Sequence, residues 1–160
     1  MSIYYARMSK GRSVARMIEA RKIARVLGGK AVLGRNVGTA MDLDVIVRQG
    51  LPKKALYHVV SRIVADPRKR DSLVYLVASR ATIQRDGKRL GPLHSDRTER
   101  LAALVAIAEE IWGDLDDARE WLTTPHSELD GRTPFRAALT DVGARAAEEV
   151  LMRGAHGLPA

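Results

Sequence analysis

Apolar residues recur at helical spacing along most of the chain. Leu56, Val59, Val60, Ile63 and Val64 fall on one face of a helix that Leu51-Pro52 opens and Asp66-Pro67 ends. Leu101, Leu104, Val105, Ala108, Ile111 and Trp112 form the longest stripe. It predicts a helix over about 96–112, capped by Ser95 and ended by Gly113. An earlier helix runs from Ser13 to Leu27 with Val14, Met17, Ile18, Ile23 and Leu27 apolar, and Gly28-Gly29 stops it. Residues 28–41 read as a glycine-punctuated connection. Asp42 then precedes a short helix holding Leu43, Val45, Ile46 and Val47, closed by Gly50. Towards the carboxyl end, Asp114 caps a helix on which Ala118, Trp121 and Leu122 share a face, and Pro125 cannot continue it. Asp130-Gly131 is a turn pair, and Thr133-Pro134 starts a short helix with Phe135, Ala138 and Leu139. Thr140 caps the last helix, with Val142, Ala146, Val150 and Leu151 expected to face inward. Residues 1–11 have no clean period, and residues 153–160 are loose by composition. No alternating strand pattern or internal repeat occurs, so the expected architecture is all-α.

Residues 71–85 have a different texture. Leu73 to Val77 form a short apolar helix, Ala78 is a turn, and Ser79 caps a second helix of about two turns. The second helix carries small and hydrogen-bonding side chains, Arg80, Ala81, Thr82, Gln84 and Arg85, with Ile83 alone pointing inward. An apolar helix, a tight turn and a polar helix make the pattern of a helix-turn-helix. Arg80, Gln84 and Arg85 can donate to base edges or phosphates, and Lys88 and Arg89 follow on a loop suited to phosphates.

Charge sharpens that picture. The 160 residues carry a net +8, but unevenly. Residues 1–100 hold 22 Lys and Arg against 8 Asp and Glu, a net +14, whereas residues 101–160 hold 5 against 11, a net −6. Such a contrast points to a nucleic-acid-facing part and a part with another task. The basic helix before Leu27 could alternatively lie on a membrane or a partner. With no cysteine, disulfides, thiolate zinc sites and cysteine nucleophiles are excluded. No apolar signal region or spanning run is present, so a cytoplasmic protein is expected, with no membrane partner. His58, His94, His126 and His156 lack a partner at metal spacing. The pairs Glu109-Glu110 and Glu148-Glu149 sit about 100° apart around a helix and cannot converge on one substrate. Neither a metal, a cofactor nor an enzymatic activity is expected.

The carboxyl-terminal motif is more specific than its helix pattern. Trp121-Leu122, Pro125, Leu129, Gly131 and Thr133-Pro134, followed by Gly143-Ala144 and a helix ending near His156-Gly157, resemble the toxin-binding domain of the Xre/MbcA/ParS antitoxins. Gly50-Leu51, then Ser79, Thr82 and Arg85, then Gly87, Leu90 and Ser95-Asp96-Arg97, are similar to the Xre-like part of the same family. The resemblance runs from about residue 26 to the end. It implies an amino-terminal extension over 1–40, an Xre-like helix-turn-helix over 41–94 and a small helical toxin-binding domain over 95–160. Members of this family neutralise RES-domain toxins, which consume NAD, repress their own operon and are typically dimers.

Carried over by position, DNA binding falls on Ser79, Arg80, Thr82, Gln84, Arg85, Lys88 and Arg89. Toxin binding falls on Trp121, Pro125, Leu129 and Gly131, with Leu122, Thr133 and Pro134 helping to build the docking domain. Arg153, His156, Gly157, Leu158, Pro159 and Ala160 form the segment that reaches the toxin. The family often has several consecutive arginines after the second helix, whereas Asp86 here interrupts Arg85 and Gly87. A transcription regulator whose acidic half only dimerises or senses a ligand is the competing reading, and a helical enzyme the third.

Overall fold

The computed structural model describes residues 20–155. The start of the first predicted helix at Ser13 and the segment His156 to Ala160 lie outside the described residues. Helix α1 covers residues 20–26. Then come α2 (Gly29–Leu33), α3 (Ala40–Gln49), α4 (Lys53–Ile63), α5 (Pro67–Val77), α6 (Arg80–Gln84), α7 (Pro92–Trp112) and α8 (Leu115–Thr123). A 3-10 turn (Ser127–Leu129), α9 (Pro134–Ala137) and α10 (Asp141–Ala155) complete the described chain. No strand occurs among the described residues; an isolated antiparallel bridge joins Pro52 to Arg89. The expected all-α class is therefore the observed one.

Several boundaries differ from expectation, each for a local reason. The connection over 28–41 contains α2, held between positive-φ Gly28 and Gly34. Helix α3 is capped by Thr39, whose hydroxyl accepts from Asp42 N at 3.1 Å, while the Asp42 carboxylate accepts from Thr39 N at 2.9 Å. Asp42 is thus the third residue of a capping box rather than the cap. The backbone N–H of Gly38, which also donates to this carboxylate at 2.9 Å, and then that of Thr39 hold the Asp42 carboxyl below its usual range. Helix α5 starts at Pro67 with Asp66 as its cap, well before Leu73. Helix α7 starts at Pro92, so Ser95 is an interior residue with another use.

One hydrophobic core runs through the molecule. Leu56, Val59 and Val60 of α4 and Leu101, Leu104 and Val105 of α7 are almost completely buried, and Leu122, Phe135 and Leu151 join them. The expected domain boundary at 94/95 falls inside α7, and the core is continuous across it. Ile23 and Leu27, the described part of the basic amino-terminal helix's apolar stripe, are buried in the same core. No helix among the described residues is long and apolar enough to cross one.

In the last helix Leu151 is buried and Ala146 and Val150 pack against the core as expected, but Val142 departs. Val142 is 70% exposed, while Gly143, Ala144, Ala147 and Leu151 are buried. Glycine is the cause. A Cβ on Gly143 would land on the carbonyl oxygen of Ala137, closer than any van der Waals contact allows. The bare backbone lets α10 close against the end of α9, and Val142, about 100° away around the helix, turns outward. Gly143→Ala is expected to destabilise the chain by about 2–4 kcal/mol in denaturant titration, because backbone must move to admit one methyl group. Gly154→Ala, in the same helix with open space around its Cβ, should be neutral or slightly stabilising. Trp112 departs in the same sense. It was expected in the α7 stripe, yet it is 46% exposed at the helix end.

Helix α7 also carries a half-buried carboxyl, Glu99. Burial, then Asp96 and Glu148, push Glu99 up to about 7, with Arg100 opposing them. The folded chain holds a proton there that the unfolded chain releases near 4.5. Stability therefore declines as pH rises from about 4.5 to about 7. Glu99→Gln should match the parent at the acid end of that window and exceed it by about 3 kcal/mol at pH 8, read from paired denaturation curves.

Candidate functional site

Helices α5 and α6 meet at Ala78-Ser79 and form the predicted helix-turn-helix. The second helix is shorter than expected, five residues with none buried. A helix that short has almost no stability of its own, so its position rests on what grips its ends. At the start, Ser79 Oγ accepts from Thr82 N at 3.2 Å and lies 2.9 Å from Thr82 Oγ1. At the end, the Lys53 ammonium donates to Ile83 O at 3.1 Å and Arg85 O at 2.6 Å. Ile83 packs against the core as predicted.

The loop after α6 is tied to the start of α4. Lys53 N donates to Lys88 O at 2.9 Å and Leu90 N to Leu51 O at 2.8 Å. Arg89 donates from its guanidinium to Gly50 O at 2.6 Å. Gly50 has φ 92°, and a Cβ there would meet Leu90 O at 2.6 Å, so the two strands of backbone approach only because it is glycine. Ser95, fully buried, accepts from Leu51 N at 2.9 Å and donates to Leu90 O at 3.3 Å. Its role is to lock this junction.

The predicted DNA-facing side chains are brought together on this frame. Arg80, Gln84, Arg85, Lys88 and Arg89 are exposed, and Thr82 is half-buried. The Arg80 guanidinium lies over the Tyr75 ring, 5.8 Å from its centroid, which presets its direction. The hydroxyls of Ser79 and Thr82 are already engaged in the cap, and one Arg89 donor is engaged at Gly50. Of the predicted set, Arg80, Gln84, Arg85 and Lys88 are thus the exposed side chains outside the cap and the Gly50 contact. Burial, reinforced by Arg97 and Arg85, holds the His94 imidazole below its usual range.

Not all of the basic excess faces outward. Lys53 grips α6, and Arg97 donates to Val77 O at 3.2 Å, the last residue of α5. Arg70 donates to Val64 O and Ala65 O at 3.2 and 2.9 Å. Arg119 of α8 donates to Arg62 O and Ser61 O at 2.9 and 3.1 Å, closing the end of α4. Cations at helix ends offset the carbonyl dipoles there. Charge counting along the sequence could not separate these from the exposed set.

The carboxyl-terminal motif folds around its own turn. Gly131 N and Leu129 N donate to His126 O at 2.9 and 3.0 Å, and His126 N donates to Arg132 O at 3.1 Å. Asp130 and Gly131 both take positive φ, 55° and 72°. Thr133 Oγ1 accepts from Arg136 N at 3.2 Å, with Pro134 at the first helical position. Trp121 and Leu129 are buried, at 7% and 1% exposure, so they shape this half and offer no face to a partner. Pro125 and Gly131 are exposed. Arg153 was expected in a loose tail; α10 instead continues through it to Ala155, and it pairs with Glu128 at 2.6 Å. The outer surface of α8 carries exposed Asp116, Asp117 and Glu120. Among the described residues no group of three metal-binding side chains converges.

Both halves match known families. Residues 42–105 match the antitoxin Xre-like helix-turn-helix domain, and residues 108–157 match the antitoxin Xre/MbcA/ParS C-terminal toxin-binding domain. The chain is 32% identical over 120 residues to Antitoxin Xre of Pseudomonas putida, covering 74% of this chain and 75% of that protein. The chain belongs to the Xre antitoxin family. The two matches meet within α7, so one helix joins the DNA-binding half of the antitoxin to its toxin-binding half. Their order is that of a type II antitoxin. The match to the helix-turn-helix model begins at residue 42, so α1 and α2 precede both matched regions.

Proposed function

We propose that this antitoxin neutralises a RES-domain, NAD-consuming toxin by obstructing its active-site entrance, and represses its own operon through α5 and α6. The observation that carries the reading is a toxin-binding domain fused through one helix to a basic helix-turn-helix. The exposed acids of α8 suit a basic pocket mouth. Pro125, Gly131 and the segment Arg153 to Ala160 contact the toxin in this reading, while Trp121 and Leu129 hold the docking half in shape. A homodimer would set two α6 helices against half-sites about one DNA turn apart.

Co-expression with the RES-type protein encoded beside it tests the first half. Rescue of growth, preserved cellular NAD and a stable co-purified complex are expected. If no complex forms and NAD still falls, the toxin assignment fails. A regulator without a toxin partner would bind its promoter and leave the arrested cells unchanged.

A further inference from the structure

We propose that Lys53 is a positioning residue for DNA recognition: it holds the reading helix from behind and is not itself a phosphate contact. The inference rests on the reading of α6 as the helix that enters DNA. Three observations lead to it. First, α6 has five residues, none of them fully buried, and Ile83 is the one apolar side chain it packs against the core, so packing holds it weakly. Second, the Lys53 ammonium donates to the carbonyls of Ile83 and Arg85, the end of that helix and the residue after it. The Arg85 carbonyl belongs to a residue whose side chain is part of the reading surface. Third, the backbone N–H of Lys53 bonds Lys88 O, so one residue secures both the helix end and the loop that follows.

Lys53 can do this because it is the first residue of α4, which is anchored in the core by the fully buried Ala55 and Leu56. It is a fixed point on the core. A cation at a helix end also offsets the carbonyl dipoles there, a charge-assisted pair of bonds. With two of its three donors directed at protein carbonyls, the ammonium faces inward. Its neighbour Lys54 is exposed. The two lysines therefore carry the same charge at adjacent positions, and only one of them supports α6.

Adjacent lysines make a controlled experiment. Lys53→Met and Lys54→Met each remove one positive charge from nearly the same place. Binding is measured on a duplex from the region upstream of the gene and on a random duplex of equal length. Lys53→Met should lose about tenfold on the upstream duplex and less than twofold on the random one. Lys54→Met should change the two together. Lys53→Arg, which can reach both carbonyls, should restore the preference. The Arg85 amide, bonded to Ala81 O at 3.0 Å, should exchange with solvent about tenfold faster in Lys53→Met, with α7 amides unchanged.

Equal losses on both duplexes would overturn the proposal, and a salt slope shallower by about one would make Lys53 a phosphate contact instead. An unchanged Arg85 exchange rate would overturn it too. Should the parent chain show no preference for the upstream duplex, the reading of α6 fails, while the exchange rates still decide whether Lys53 holds the helix. Lys53→Gln, which keeps one polar end, serves where Lys53→Met does not fold.

Discussion

Removal of residues 153–160 is expected to abolish rescue of toxin-arrested cells and to leave promoter binding unchanged. The structure makes this a clean cut. Leu151, at 2% exposure, is the last buried apolar side chain among the described residues, so the described core survives the truncation. What is lost from the described part is the final turn of α10 and the Arg153–Glu128 pair, which is partly exposed and contributes at most about 1 kcal/mol. Melting temperature should therefore move little, while affinity for the toxin falls about a hundredfold or more, equivalent to roughly 3 kcal/mol. Co-expression, pull-down and thermal melting on the same preparation separate the outcomes. Full rescue by the shortened chain would remove this segment from the inhibitory contact and shift attention to the acidic face of α8.

The second large effect is on DNA. Arg80→Ala combined with Arg85→Ala should weaken promoter binding by about 10²- to 10³-fold, since each guanidinium contact to a base or phosphate contributes roughly 1–3 kcal/mol. Neither side chain is part of the core. Arg80 is held over Tyr75 and Arg85 is exposed, so stability and toxin binding should be retained. Parent affinity should fall steeply with salt, and the double variant should fall less steeply. A promoter affinity indifferent to ionic strength would refute the phosphate account, whatever the variants do. Asp86 is exposed beside Arg85 and interrupts the basic run. Asp86→Lys should raise affinity if the interruption weakens contact.

Much of this is legible in the residues alone. The caps at Ser79, Asp114, Thr133 and Thr140, the stops at Gly50 and Gly113, and the turn at Asp130-Gly131 all stand where the residues placed them. These are local effects: a hydroxyl or carboxylate reaching a nearby N–H, or a glycine at positive φ, depends on three or four neighbours. The boundaries misread at Asp42, Leu73 and Ser95 turned on neighbouring residues, whereas other misread positions depend on the packing of the next helix. Val142 and Trp112 were assigned inward by period alone, but a helix period cannot say which of two adjacent stripes meets the next helix. Gly143 decided the first through its contact with Ala137. Arg153 was placed in a loose tail because glycine, alanine and proline surround it; its pair with Glu128 comes from 25 residues away in sequence.

The candidate site divides along the same line. Sequence alone identified the turn at Ala78-Ser79, the hydrogen-bonding helix behind it and the polarity of charge between the two ends of the chain. These follow from residue type and order. It could not identify Lys53, Arg97 and Arg119 as clamps on helix ends, because each acts on carbonyls brought near only by packing. Nor could it show that Ser95 locks Leu51 to Leu90 from inside α7. Local chemistry determined which helices form and where they stop. The shared core determined which basic side chains hold the molecule together and which remain free for a partner, since a charge has the same formal value in either place and only its neighbours distinguish its use.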